Sequence, residues 1–461
     1  MAASGRSVGQ RHHAIVIGAS MAGLLAARVL AERYATVTIV ERDGLLERND
    51  PRKGVPQGRH AHGLLARGSR TLELLFPGIR DDIVAAGGKY GDIVDTAIWH
   101  NFGCTLMSGP SDIYGYLISR PTLEDIVRRR TTALDNVRVL ARTEAIMPIY
   151  DARLGRVTGL TVKALDGGGE TNIDADLLVD ASGRGSRASN WLAELGFAQP
   201  KEEIVEVNIS YMTRLYRRRP DHVPGKDAVI IAASAPDWRL GVMLAQDGDR
   251  WIVTLGGYQG DRAPSDDAGY LAFARGLQRR EIYDVIKDAE PLSDPTPYGF
   301  PASRRRHYEQ LTRFPEGFLV FGDALCSFNP IYGQGMSVAS MEALTLRDCL
   351  ENSGEGLWQR FFKSTAKVID VPWQIAVGAD LANPAVQGAR PLPVRFINWY
   401  LARLHRAAQK DASLSIAFLQ VANLLKSPPS IFAPRLAYLV WRGQTAAPEL
   451  HHATSPRHAT N

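Results

Sequence analysis

Apolar and polar positions at the start of the chain fall in an order that reads as strand, tight turn, helix and strand. Ala14-Ile-Val-Ile-Gly18 has the short apolar run of a buried strand, and Met21 to Arg33 carries apolar residues at helical spacing. Thr36-Val-Thr-Ile-Val40 is a second strand ending at Glu41, so the three together predict a βαβ unit. Val137-Arg-Val-Leu140, Gly159-Leu-Thr-Val-Lys163 and Leu177-Leu-Val-Asp180 continue the strand pattern. From about Ile204 to Tyr258 the texture changes to alternating strands bounded by Pro, Gly and Asp, including Val205 to Tyr211, Ala228 to Ile231 and Trp251 to Leu255. This predicts an antiparallel sheet set between two halves of a nucleotide-binding unit, forming a second domain that faces the first domain's ligand. Phe318-Leu-Val-Phe then leads into Gly322-Asp323, followed by a turn and a Met-, Ala- and Leu-rich helix from Ser337 to Leu350. The tail from about Val394 to Trp441 is helical in pattern, broken at Pro428-Pro429 and Pro434. Its Leu414 to Leu425 stretch reads as a helix packed on the body of the protein, with an amphipathic helix on a membrane surface as the alternative.

Composition narrows the class. A chain of 461 residues with 45% hydrophobic and 22% charged content is an ordinary globular composition, long enough for about two or three domains. The formal charge of +5 is scattered in short clusters such as Arg128-Arg129-Arg130, Arg217-Arg218-Arg219 and Arg304-Arg305-Arg306. These read as solvated helix ends or strand edges, because no nucleic-acid-reading motif accompanies them. Three cysteines without CxxC spacing suggest neither a disulfide framework nor a zinc site, and fit a reducing cytosol. The polar Met1 to His13 lacks the apolar core of a signal peptide, and no apolar run approaches the ~18 residues that span a bilayer. A cytoplasmic location is expected.

Two constellations carry chemistry. Gly18-Ala-Ser-Met-Ala-Gly23 follows the dinucleotide fingerprint G-x-G-x-x-G with Ser20 in the second glycine position. A serine there keeps the approach to a pyrophosphate tight, and its hydroxyl can donate to a phosphate oxygen. Glu41 follows at the spacing of the acid that holds the adenosine ribose hydroxyls, which argues against a bound 2′-phosphate. Gly322-Asp323 supplies a strand-end carboxylate before a helix whose amides begin around Gly333-Gln-Gly335. That arrangement suits a ribityl chain, with the helix dipole facing a flavin ring. A structural Asp capping a turn is the alternative for Asp323. The His60-Ala61-His62 pair reads as a loop lying over the cofactor, because HExxH and a third ligand cluster are missing; no metal site is expected.

On these residues the chain resembles the flavin-dependent monooxygenases of the aromatic-hydroxylase fold. The fingerprint, a middle motif Asp180-Ala-Ser-Gly-Arg-Gly-Ser-Arg187, and Gly322-Asp323 with Pro330 occur in the family's order, from about Ile15 to Leu346. Lys53-Gly-Val-Pro-Gln-Gly-Arg-His-Ala-His62 and Phe328-Asn-Pro-Ile-Tyr-Gly-Gln-Gly-Met-Ser337 are similar to polyether-type olefin epoxidases and, more distantly, to squalene epoxidase. The resemblance implies an α/β fold: a Rossmann-like FAD-binding domain with an inserted antiparallel-sheet substrate domain and a helical C-terminal region. The division expected is 1–85, 110–195 and 301–370 for the FAD-binding domain, 86–109 and 196–300 for the substrate domain, and 371–461 for the helices.

It further implies FAD held by Gly18, Ser20, Gly23, Glu41 and Arg42 at the adenosine end, with Ala145 offering backbone to the adenine. Arg120 matches the family arginine that reaches the phosphates, and it sits beside a capping pattern, Thr122-Leu-Glu-Asp125. Asp180 and Gly183 belong to the middle motif, and Gly322, Asp323, Gly333, Gly335 and Met336 surround the flavin end. Pro330 and Asn329 are expected to line the oxygen-reactive face, with no side chain assigned as acid or base. The implied reaction uses dioxygen and passes one oxygen atom from a flavin hydroperoxide to an apolar natural-product substrate. Olefin epoxidation is favoured by the epoxidase-like strings; aromatic or indole hydroxylation and flavin-dependent double-bond reduction are the alternatives. Aligned on Gly183 and Ser186, the family's Asp-Gly pair is Ser182-Gly183 here, with Asp180 two positions earlier. Two electron routes follow: NAD(P)H bound in a different way, or a partner flavin reductase.

Overall fold

The early strands are apolar on both faces because they lie inside a parallel sheet covered by helices. In the computed structural model, which describes residues 12–44, 52, 54–351 and 356–445, strand β1 (His13–Ile17), helix α1 (Met21–Leu30) and strand β2 (Thr36–Val40) form the expected unit. The reading of Met1 to Arg11, and Lys53 at the head of the epoxidase-like string, lie outside the described residues. The parallel sheet has five strands in the order Phe318–Val320, Leu177–Asp180, β1, β2, Val137–Leu140. Its strands come from both halves of the chain, and their C-terminal ends bring Gly18, Asp180 and Phe321 side by side: the Phe321 amide donates to the Asp180 carbonyl at 2.9 Å, and the Ala181 amide to the Ile17 carbonyl at 3.0 Å. A three-stranded antiparallel sheet, Thr143–Asp151, Arg156–Ala164 and Glu170–Asp174, flanks it.

The second large sheet has eight strands in the order Cys326–Ser327, Thr296–Arg306, Glu202–Arg217, Arg250–Gly257, Arg239–Gln246, Ala228–Ile231, Ala97–Asn101, Cys104–Thr105. Neighbours pair antiparallel except Ala228–Ile231 with Ala97–Asn101, which run parallel. The 86–109 segment thus contributes edge strands to the sheet, and Thr296–Arg306 runs across the division expected at residue 300. Behind one face, Asp267–Arg275 and Glu281–Ile286 cover a cluster built on Trp251, Val253, Tyr270 and Phe273.

The C-terminal region is helical: Leu357–Asp380, Leu392–Ala408, Ala412–Ala422 and Pro434–Thr445, with the turn Pro428–Phe432 where the prolines predicted a break. Leu414 and Leu419 of Ala412–Ala422 are fully buried, so that helix packs on the protein body. None of the described helices is long and apolar enough to cross a membrane. One arginine cluster departs from its expected solvated position. Arg305 and Arg306 are buried, held by Asp370 at 2.7 Å and by Glu202 at 2.8 Å respectively, because their strand lies inside the large sheet.

Candidate active site

The turn between β1 and α1 is built for close approach of backbone to backbone. Gly18 adopts φ +99°, and a Cβ there would lie 2.8 Å from the Ala181 carbonyl oxygen. A Cβ on Gly23 would lie 1.8 Å from the Gly18 carbonyl oxygen, so the last glycine of the fingerprint lets α1 lie against the turn. At the end of β2, Glu41 accepts from the Ala19 amide at 2.7 Å and the Asp43 amide at 2.8 Å. Arg42, beside it, is exposed.

Over this turn lies a charge cluster that pattern reading missed in part. Arg120 is the first residue of the helix Arg120–Thr132, and its Nη2 donates to Ser20 Oγ at 3.1 Å and Glu124 Oε2 at 3.0 Å. Arg52 adds a second guanidinium, donating to the Ala19 carbonyl at 3.0 Å and to Glu124 Oε1, and pairing with Glu41 at 3.2 Å. Burial opposes ionisation of Glu124, yet Arg120 and Arg52 hold its carboxyl below the ordinary value. The Ser20 hydroxyl gives its proton to Glu124 at 2.9 Å rather than outward. The helix is capped by Ser119, whose side chain accepts from the Thr122 amide, not by Thr122. Pro121, which lacks an amide hydrogen, is well placed in the first turn, so the helix starts earlier than the capping pattern suggested.

A second group sits at the next strand end. After Phe318–Val320, the turn Gly322–Ala324 places Asp323 in an enclosed position where burial raises its pKa, opposed by Arg184 and Arg120. Among the described residues no donor reaches its carboxylate. Beneath it, Glu342 is completely buried and accepts from the Gly322 amide at 2.7 Å through Oε2, while Oε1 has no partner. Burial pushes its pKa up to about 8; the Gly322 amide opposes the shift and Asp323 adds to it. Burial therefore favours the neutral, protonated form of Glu342. The helix Gly335–Glu351 begins one turn away, with Gly333 at φ +64° closing the turn Pro330–Tyr332 and Met336 buried in its first turn.

Beyond that turn opens a cavity of about 1350 Å³ between the eight-stranded sheet and the C-terminal helices. Ile230, Val242, Trp99, Trp373 and Phe418 are among its walls, and Gly63, Pro330, Gly333 and Gln334 bound it on the side of the Pro330–Tyr332 turn. His60 anchors the loop before it, with Nδ1 2.9 Å from Thr213 Oγ1 and its ring against Tyr211 and Tyr298. Enclosure pushes His60 down to about 4, and His62, beside Arg120, down to about 3, so both imidazoles are neutral. Behind the cavity-lining Tyr258 and Tyr332, the buried Asp380 at the end of Leu357–Asp380 accepts at Oδ1 from Tyr258, Tyr332 and Asn329, each at 2.8 Å. Its Oδ2 is buried without a partner, and burial, opposed by those three bonds, raises its pKa to about 6.

Two expected site residues stand elsewhere than anticipated. Asn329 does not line a face: it is fully buried, its amide nitrogen bound to Asp380 and its carbonyl to the Ile331 amide, because the turn it caps needs both. Pro330 alone of that pair reaches the cavity. Asp180 is fully buried, and its carboxylate accepts from the Ser182 amide at 2.9 Å and Ser186 Oγ at 2.6 Å. It ties its own turn together, while Gly183 stands in open space at φ +79°. Ala145 lies at a bulge in Thr143–Asp151, two residues beyond the Thr143 amide that donates to the Glu41 carbonyl at 2.9 Å. Of the residues missed, Glu124 was legible as the i,i+4 partner of Arg120. Arg52, Tyr258, Glu342 and Asp380 carry no local pattern, and Tyr332 lies unremarked within the Phe328–Ser337 string.

These groups suit FAD on structural grounds: a glycine turn closed to any side chain, an Arg120 Nε buried without an acceptor, and an Asp323 carboxylate without a donor. Residues 11–356 match the family described as FAD binding domain. The chain is 35% identical over 452 residues to Protein Rv3254 of Mycobacterium tuberculosis, covering 92% of each. It is 27% identical over 359 residues to kynurenine 3-monooxygenase of Salinispora tropica, covering 74% of this chain and 73% of that one. The flavin-dependent brominase Bmp2 shares the fold, with a TM-score of 0.66 and 17% identity over 94% of this chain and 100% of that one. The chain belongs to the FAD-binding-domain family.

Proposed function

We propose that the protein transfers one oxygen atom from dioxygen to a large apolar molecule at an electron-rich carbon–carbon double bond, with olefin epoxidation as the reading. The observation that carries it is the cavity of about 1350 Å³, walled by aliphatic and aromatic side chains and bounded on one side by Pro330 and Gly333. A space of that size exceeds the ~300–1,000 Å³ of common small-molecule sites and suits a polycyclic or long-chain body. FAD, when bound, supplies the oxygen-activating chemistry. The chain's own part is to hold and orient. Gly18 and the α1 N-terminus, with Arg120, would hold the phosphates, Glu41 the adenosine ribose, and Asp323 the ribityl hydroxyls. The start of Gly335–Glu351 would face the ring with its positive dipole end, and the apolar walls would exclude water from the reacting carbon.

The electron donor is proposed as a partner flavin reductase or NAD(P)H bound away from the middle motif. The engagement of Asp180 within its own turn supports a route that does not use that carboxylate. The test is oxygen uptake by FAD-loaded protein given NADH, NADPH or a reductase, with a panel of polyenes and fused aromatics, read by mass spectrometry. A gain of one oxygen atom in an olefin supports epoxidation, whereas saturation of the double bond without oxygen uptake would identify a reductase instead.

A further inference from the structure

The helix Leu392–Ala408 is apolar on two sides, and only one of them is covered. Tyr400, Leu404 and Ala408 are buried against the protein body. On another side Leu392, Phe396, Trp399 and Arg403 recur at helical spacing and form one stripe, with the Arg403 guanidinium 3.9 Å from the centre of the Trp399 ring. Phe396 stacks on Trp399 at 5.6 Å and on Phe432 at 5.9 Å, which carries the row to the turn before Pro434–Thr445. That helix packs beside the first and exposes Tyr438 and Trp441. Leu392, Phe396, Trp399, Tyr438 and Trp441 are 49% to 75% exposed, and among the described residues every exposed phenylalanine and tryptophan lies in this group. The charge around them is one-sided. Between Arg390 and Arg442 eight Lys or Arg stand against one acid, Asp411, a balance of +7 in a chain whose total is +5. A second copy of the chain would set this charge against itself, whereas Trp and Tyr beside Arg suit the headgroup level of a bilayer, where the ring meets lipid and the cation meets phosphate. We propose that Leu392–Ala408 and Pro434–Thr445 dock on an anionic lipid surface, lying on it with their aromatic rings in the headgroup layer. The same first helix is a wall of the large cavity, since Pro393, Val394, Ile397 and Leu401 line it on the turns that carry Leu392, Phe396 and Trp399. Docking brings the cavity within about one helix diameter, ~10 Å, of the lipid, whatever reaction the cavity serves.

The test is flotation of the whole chain, loaded with FAD, on vesicles of phosphatidylcholine alone and of equal parts phosphatidylcholine and phosphatidylglycerol. Binding to the anionic vesicles is expected to exceed binding to the neutral ones by about tenfold or more, and to fall as salt screens the charge. Tryptophan emission on the same samples should shift to the blue, because Trp399 and Trp441 leave water. Phe396→Ser/Trp399→Ser and Tyr438→Ser/Trp441→Ser should each weaken binding by about tenfold or more. Lys410→Glu/Arg435→Glu should remove the preference for the anionic vesicles. Tyr90→Ser/Tyr114→Ser, which removes a stacked and exposed pair outside the C-terminal helices, should bind as the unsubstituted protein does. Flavin content and thermal midpoint of each variant separate loss of docking from loss of fold. No flotation with either vesicle, equal flotation with both, or undiminished flotation of both aromatic variants overturns the proposal. So does a dimer in solution that disappears in the aromatic variants, which would make a second copy the occupant, or displacement from the vesicles by inorganic phosphate at matched ionic strength, which would mark a phosphate site. Oxygen uptake with an olefin dispersed in water is read on separate samples; its absence would sink the proposed reaction and leave the docking standing.

Discussion

Glu342→Gln tests the claim that the turn holding Asp323 rests on a protonated carboxyl. Burial raises the Glu342 carboxyl from its ordinary 4.5 to about 8, so the folded pKa lies above the unfolded one. Stability from that protonated form is full below pH 4.5 and is lost as pH rises through about 8. Each unit of displacement is worth about 1.4 kcal/mol, which sets a ceiling of ~5 kcal/mol by pH 9; water entry and relaxation of the pocket leave on the order of 1–3 kcal/mol. Glutamine keeps an oxygen for the Gly322 amide and cannot ionise, so it should be stabilising above pH 8 and close to neutral at pH 5. The assay is thermal unfolding of both proteins from pH 5 to 9 at constant ionic strength, where a few kcal/mol moves the midpoint by a few degrees in a chain of this length. FAD retention should follow the same curve, because ionised Glu342 places a second negative charge beside Asp323. Parallel unfolding curves across the pH range, or a glutamine variant less stable at pH 8.5, would refute the reasoning.

Asp323→Ala should weaken FAD retention by roughly 10- to 100-fold, the worth of one or two hydrogen bonds to a charged acceptor, measured by dialysis and flavin fluorescence. Asp125→Ala is the matched control, since Asp125 pairs with Arg128 and Arg129 on its own helix; equal losses would mean the cofactor is misplaced. Gly23→Ala should cost about 1–3 kcal/mol or more, because its Cβ meets the Gly18 carbonyl at 1.8 Å and backbone must shift; wild-type expression and FAD content would contradict this. Asp180→Asn should leave the NADH and NADPH dependence of oxygen uptake unchanged, and a selective loss with one nicotinamide would return Asp180 to the electron route.

What the sequence made legible was local. Gly18 to Glu41 announces itself because strand, turn, helix and acid follow one another within one stretch, each with its own period or residue type. Gly322-Asp323 was readable for the same reason. Asp380 was not: its partners Tyr258, Tyr332 and Asn329 lie 122, 48 and 51 residues away along the chain, and a single acid ending a helix looks like any other. Glu342 sits among apolar neighbours in a helical pattern that gives no hint of an unionised carboxyl, which only burial produces. Asn329 was expected to line a face and is buried instead, since a motif string fixes where a residue is along the chain and not where its amide points.

The parallel pairing of Ala97–Asn101 with Ala228–Ile231 bears on how the protein reaches this state. One wall of the large cavity is assembled from stretches that leave the ribosome far apart, with the parallel-sheet strand Leu177–Asp180 made in between. Its rim is closed by long-range contacts of the kind that form late and slowly. A fragment cut at 196–300 would lack one border of that wall and strand an open edge to aggregate. The cavity is therefore portable between proteins only together with the parallel sheet whose strands are made between its own.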